Sequence, residues 1–428
     1  MRRDFLKMCG LAGLGFACSG GLRADDKSDG AYPGPYYVVF NASGGWDTTY
    51  LMDPKGVGGI NRLYQQGDIL TQGKHLFAPV AKHIKGGLSN EDFYKEFGGE
   101  LLTLNGLDYS VNNHSPGARY MATGKLDSMA YPTFAALIAA CNGPTCPLSF
   151  LTFGNYSATG NVVAMSRIPY LPSLQRIALA DSVEGNARSP YHDNFALDRI
   201  EQTLREQNEA RLKVKESAAP FLPREERALS MLYAAQVNSK SLQRVTPYIP
   251  ANIPKERLSQ QAEIALASFM AGVCVSANLS IGQFDSHANN DRDQMTLIPE
   301  MLAGIAYLIH RAEQLKIRDK LVVIVQSEMG RTPNYNNGNG KDHWSIGSIM
   351  FIGKGIKGNR VVGATDEKQF QIPLDPKTLA VDKDKGVRVR PEHIHEALRE
   401  FAGIAKHPIS AKFPLGVTDK EKLQGLWG

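Results

Sequence analysis

Four short runs of apolar, mostly β-branched or aromatic residues constrain this chain more than anything else in it: YYVVF at 36–40, LSFLTF at 148–153, LVVIVQ at 321–326 and SIMFIG at 348–353. Each is too short for a helix and lacks the polar alternation of a half-exposed strand, so each reads as a strand buried on both faces. Helical patterns lie between them. In TLIPEMLAGIAYLIHRAEQLKIRDK (296–320), Ile298, Met301, Leu302, Ile305, Leu308 and Ile309 share one face, and the segment runs straight into LVVIVQ. PEHIHEALREFAGI (391–404) reads as a last amphipathic helix. Strands alternating with helices predict an α/β fold: a doubly wound, mostly parallel sheet with helices on both faces. In such sheets, polar functional groups collect in the loops beyond the carboxyl ends of the strands.

The length of 428 residues allows a large core, and 43% hydrophobic against 21% charged residues argues against long disorder. A net charge of +5 with scattered basic residues gives no stripe for nucleic acid, so nucleic acid is not an expected partner. Residues 1–24, MRRDFLKMCGLAGLGFACSGGLRA, combine Arg2-Arg3 with a mild apolar run too short to span a bilayer, the pattern of a twin-arginine export signal. The expected partner of this segment is the twin-arginine export machinery and the expected location periplasmic or extracellular. Cleavage would fall near Leu22-Arg23-Ala24, with lipid attachment at Cys18 as the alternative. Residues 25–35 read as a linker and 36–428 as one domain, with a charged helix-rich insertion at about 194–245 and no later membrane span. Cys141 and Cys146 bracket a turn-forming spacer and could pair or stay as thiols, whereas Cys274 reads as a core residue.

Four polar clusters stand at strand ends: FNASGGWDTTYLMDPKG with Asn41 and Asp47, NNHSPGARYMATGK with His114 and Ser115, FDSHANND with Asp285 and His287, and SEMGRTPNYNNGNGKDHW with Glu328, Asp342 and His343. A D-x-H pair offers one ion a carboxylate oxygen and an imidazole nitrogen. Zinc is the usual occupant of so mixed a set, with calcium, magnesium or manganese as alternatives. Glu328 closes an apolar strand and needs a strong partner if buried, for which Arg331 is the nearest choice.

The order of these clusters resembles the alkaline phosphatase and sulfatase superfamily: a D…H pair before a helix–strand unit, then an acidic residue, a polar loop and G-x-D-H. HSPGARYMATGK is similar to the sulfatase signature, with Pro116, Thr123, Gly124 and Lys125 in place. More closely, GGWDTTYLMDPKG, FDSHANND, EMGRTPNYN…GKDHW and VVGATDE resemble landmarks of the bacterial domain-of-unknown-function 1501 family over most of the chain from Tyr36 onward. The resemblance implies a metal-dependent hydrolase of phosphate or sulfate esters. Its metal residues would be drawn from Asp285, His287, Glu328, Asp342 and His343, with Asn41 and Asp47 at the first strand. His114 stands at the nucleophile position, with Ser115 beside it, and Arg331, Lys341 or Lys125 would meet the anionic ester. Asn41 replaces the usual metal-binding Asp, and Met329 stands where the resembling motif has His. These departures imply a single or altered metal site, or an inactive binding protein on the same scaffold.

Overall fold

The computed structural model describes residues 31–81, 85–144, 146–178 and 242–428, together with 199, 202, 203, 206 and 207. The expected signal at 1–24, Cys18 and nearly all of the expected insertion lie outside these residues.

The four apolar runs supply β1, β3, β6 and β7 of an eight-stranded sheet made of β1 (Tyr36–Ala42), β2 (Leu101–Asp108), β3 (Phe150–Thr152), β4 (Met165–Ser166), β5 (Ser276–Ile281), β6 (Leu321–Ser327), β7 (Ile346–Gly353) and β8 (Arg360–Val362). Their spatial order is β8-β2-β7-β6-β1-β5-β3-β4. Every neighbouring pair is parallel except those of β7, which runs against both β6 and β2.

Alternation along the central strands divides the interior in two. Val38, Phe40, Val323 and Val325 face one core, which also takes Phe93 of α1 (Asn90–Phe97), Leu266 of α5 (Arg257–Met270) and Leu302 of α6 (Asn290–Gln314). Tyr37, Val39, Val322 and Ile324 face the other, with Met121 of α2 (His114–Thr123), Ile138 of α3 (Phe134–Asn142) and Leu398 of α7 (Pro391–Phe401). A short helix α4 spans Leu171–Ala178. Each large apolar side chain fully buried here stabilises the fold by about 1.5–3 kcal/mol. The predicted double winding is therefore what the chain adopts.

The register sets where the site can be. Ala42 pairs with both Ile281 and Ser327, so β1, β5 and β6 end level with one another. β7 enters at the same edge, with Ile346 opposite Asp108 at the end of β2. Loops 43–47, 282–289, 328–331 and the start of α2 therefore share one rim. Among the described residues no helix is long and apolar enough to cross a membrane. Cys141, Cys146 and Cys274 are all free thiols, so the small disulfide loop is not formed.

Candidate metal centre

Each functional side chain reaches the rim by a local rule. α2 starts where Asn113 caps it, its side-chain oxygen accepting from the amide of Ser115. Gly117 lets the helix approach the strand end: a Cβ there would lie 2.6 Å from the carbonyl oxygen of Glu328. That contact sets His114 beside Glu328. Gly44, at φ 116°, holds left-handed backbone and passes so close to Asp285 that a Cβ would meet its amide at 2.4 Å. The Gly- and Asn-rich loop after Arg331 is a hairpin. The side-chain oxygen of Asn336 accepts from the amides of Gly338 and Gly340, and its Nδ2 donates to the carbonyl of His287 and to Asp342 Oδ1. The hairpin returns His343 opposite Arg331.

Three imidazoles converge there on one carboxylate. Asp285 Oδ1 lies 3.1 Å from His287 Nε2 and 3.3 Å from His343 Nε2, and its Oδ2 lies 3.2 Å from His114 Nε2. In every ring Nδ1 faces an acceptor: Glu328 Oε1 at 3.2 Å for His114, Asp342 Oδ1 at 2.9 Å for His287, and the carbonyl of Asn112 at 3.0 Å for His343. Such acceptors hold the proton on Nδ1 and leave Nε2 as the free donor atom, the way metal-binding histidines are oriented. The Nε2 atoms of His287 and His343 are 3.0 Å apart. Two bare lone pairs at that distance repel unless a proton or a cation lies between them.

The charges are arranged to keep the carboxylate ionised. Burial works to raise the pKa of Asp285, but the bond and charge of Arg331, with His114 and His287, outweigh it and hold the group below its ordinary value. Arg331 is 1% exposed; Nη2 donates to Asp285 at 2.7 Å, and the guanidinium also donates to the carbonyls of Gly44, Gly45 and Lys341. Asp342 is held low by its bonds to His287 and Asn336. The bond to Glu328 raises the pKa of His114 against the effect of burial, and the charge of Asp285 adds to it. Glu328 is buried, accepts from Gly44 N at 2.6 Å, and leaves Oε2 without a donor.

The donor set fits a divalent cation. Ligands about 2.0–2.1 Å from zinc in a tetrahedron lie about 3.3 Å apart, close to the 3.0–3.3 Å separations among His287, His343 and Asp285 Oδ1. His114, Asp285 and His343 also place ligand atoms within 4.8 Å of one another, with His114 on the far oxygen of the carboxylate.

Other expected site residues are placed elsewhere. Asp47 and Lys341 pair with each other at 2.6 Å, both fully buried. Asp47 also accepts from Asn290 and from the amide and hydroxyl of Thr49, so neither it nor Lys341 is available to a metal or substrate. Asn41 donates to the carbonyls of Leu279 and Val39 and accepts from Gln326 inside the sheet. Lys125 pairs with Asp127 beyond Gly124, at the far end of α2, whose ten residues span about 15 Å. Arg331 anchors Asp285 rather than Glu328 and is sealed from solvent. Ser115 is exposed, and among the described residues no base contacts its hydroxyl. Met329 is buried in the core. Sequence reasoning missed Asn336 and the carbonyl of Asn112; the N-x-G-x-G spacing after Asn336 was the available signal for the first.

A family model described as "Protein of unknown function (DUF1501)" matches residues 95–387. No curated protein matches the chain. Among solved structures it is similar to a 2-O GAG sulfatase, at 11% identity over 88% of this chain and 72% of that one, with a TM-score of 0.32. It is similar to a protein in the alkaline phosphatase superfamily from Vibrio parahaemolyticus, at 11% identity over 98% and 80% of the two chains, with a TM-score of 0.39. A lipoteichoic acid synthase from Listeria monocytogenes aligns at 8% identity over 94% and 78%, with a TM-score of 0.35. At such TM-scores these three likenesses carry no weight in assigning chemistry.

Proposed function

The chain belongs to the DUF1501 family of proteins of unknown function, and on that premise we propose that it is an exported metal-dependent hydrolase of phosphate or sulfate esters. One observation carries the reading: three imidazoles, each fixed through Nδ1, turn Nε2 toward a single ionised carboxylate. His287, His343 and Asp285 would hold the cation, with zinc favoured by the nitrogen-rich set. A bound divalent ion supplies charge stabilisation to an anionic ester.

The chain's own groups supply proton handling and orientation. His114 sits between Glu328 and Asp285, with each ring nitrogen 3.2 Å from a carboxylate oxygen. It would take a proton at Nε2 from an attacking water, and Glu328 would offset the charge of the resulting imidazolium. Arg331 and Asp342 keep Asp285 and His287 aimed. Water is assigned the attack because among the described residues no base contacts the hydroxyl of Ser115. Export rests on the twin-arginine-like pattern at the start of the chain, and places the enzyme in the periplasm or outside the cell.

The test is metal content by mass spectrometry beside turnover of aryl phosphate and sulfate esters with added zinc, manganese, calcium or magnesium. His287→Ala and His343→Ala should lose metal. His114→Gln should keep it and lose about 10²–10⁴-fold in turnover. Undiminished metal in both alanine variants would remove the proposed centre. A second reading, an inactive binding protein on the same scaffold, draws on Asn41 and Met329, whose side chains are absorbed by sheet and core. It predicts metal binding with no turnover of any ester that His114→Gln abolishes.

A further inference from the structure

A cavity of about 380 Å³ opens beside the metal centre, with Asp108, Ser110, Asn112, Ser345, Arg388 and Arg390 in its wall. Two of these residues connect it to the cluster: the carbonyl of Asn112 accepts from His343 Nδ1 at 3.0 Å, and Ser345 lies two residues beyond His343. We infer that this cavity is a substrate subsite for an acidic sugar, which Arg388 and Arg390 would hold by its carboxylate while the scissile ester lies at the histidines. The inference rests on the ester-hydrolase reading and names the kind of molecule that carries the ester.

Charge is the first argument. Two guanidinium groups share the wall with one carboxylate. Asp108 is already engaged, accepting from the amide of Ser110 at 2.8 Å and pairing with Arg388 Nη2 at 3.2 Å. The nearest carboxylate oxygen to Arg390 is Glu392 Oε1 at 3.9 Å, beyond hydrogen-bond reach, and the other oxygen of Glu392 takes the hydroxyl of Tyr120. Among the described residues the Arg390 fork therefore meets no acceptor at bonding distance while it lines a cavity. Planar forks of this kind match carboxylates in a bidentate way.

Shape is the second. Arg388 Nε donates to Gln371 Oε1 at 3.2 Å, and the preceding residue Phe370 is half exposed and edge-on to Trp344 at 5.2 Å. Trp344 directly follows His343, and its Nε1 donates to the carbonyl of Gln369. The aromatic pair thus adjoins in sequence the wall residue Ser345 and Gln371, the partner of Arg388, while the cationic, hydroxyl-lined cavity is at the small end of ligand-site volumes. A sugar ring with C–H faces and an acidic substituent satisfies both surfaces.

Calorimetric titration of the full chain as purified, with D-glucuronate against D-glucose, tests this. The wild type should bind glucuronate about tenfold or more tightly than glucose, the range of a charge-assisted bidentate contact. Arg390→Gln and Arg388→Gln should each remove most of that preference with metal content unchanged. A wild type without preference, or a preference that survives in both variants, overturns the subsite. If esters are hydrolysed but no preference exists, the subsite alone falls. If the preference holds but no ester is hydrolysed, the hydrolase reading falls and the acidic-sugar site stands.

Discussion

Lys341→Met should destabilise the protein far more than it affects the metal centre. The Nζ of Lys341 lies 2.6 Å from Asp47 Oδ2, and neither side chain has any exposed surface. The ammonium also lies 5.1 Å and 5.8 Å from the ring centres of Tyr335 and Tyr50. Methionine keeps much of the stem volume but leaves Asp47 with only the donors of Asn290 and Thr49. Breaking a buried pair from one side costs about 3–5 kcal/mol, because the remaining charge keeps its desolvation penalty. With a urea m-value of about 3 kcal/mol/M, the denaturation midpoint should fall by about 1–1.7 M. Adding Asp47→Asn should recover most of that loss, since the pair is then removed together. Urea unfolding followed by tryptophan fluorescence measures both variants. A midpoint that moves by less than about 0.3 M in Lys341→Met would refute the claim that this lysine is a buried counter-ion.

Asn336→Ala should lower metal affinity by about 10–100-fold, read by competition with a chelating dye, because Asp342 and His287 lose the group that organises their loop; its thermal midpoint should barely change. Gly117→Ala should lower the thermal midpoint and ester turnover with metal content kept, since the new Cβ would meet the carbonyl oxygen of Glu328 at 2.6 Å and push His114 off its partner. His395, buried with its Nε2 2.8 Å from the carbonyl of Met121, has a pKa pushed down to about 3 by burial, with the charge of Arg399 adding to the shift against the Met121 bond. The unfolded chain binds its proton near pH 6.5, so stability is full above that value and falls by about 1.4 kcal/mol per pH unit down to about 3. His395→Gln should show a shallower acid decline in stability curves taken across that window; an unchanged slope would count against the buried neutral imidazole.

The sheet was legible because strands buried on both faces leave unbroken apolar runs, as in 36–40 and 321–326. The long helix was read as starting at Thr296, whereas α6 starts at Asn290. Its first turns turn polar residues inward, with Asn290 bonded to Asp47 and Gln294 to the Phe284 carbonyl, so apolar periodicity could not mark them. The convergence of Asp285, His287 and His343 was legible in part: Asp285 and His287 follow an apolar segment at the expected edge, and His343 ends the polar loop that follows the apolar run 321–326. Asp47 and Lys341 were misassigned because a buried ion pair and a substrate site use the same residue types. The arginine cavity draws on three segments distant in sequence, so only the fold reveals it. The expected export signal at 1–24 and nearly all of the expected insertion at about 194–245 lie outside the described residues.

Arg331 gathers the carbonyls of Gly44, Gly45 and Lys341 and the carboxylate of Asp285 around one sealed guanidinium. Three separate stretches of chain are thereby tied together in the folded protein. Under the proposed function an arriving ion or ester would meet a receptor whose aim is already settled, with little ordering entropy left to be lost at the moment of capture.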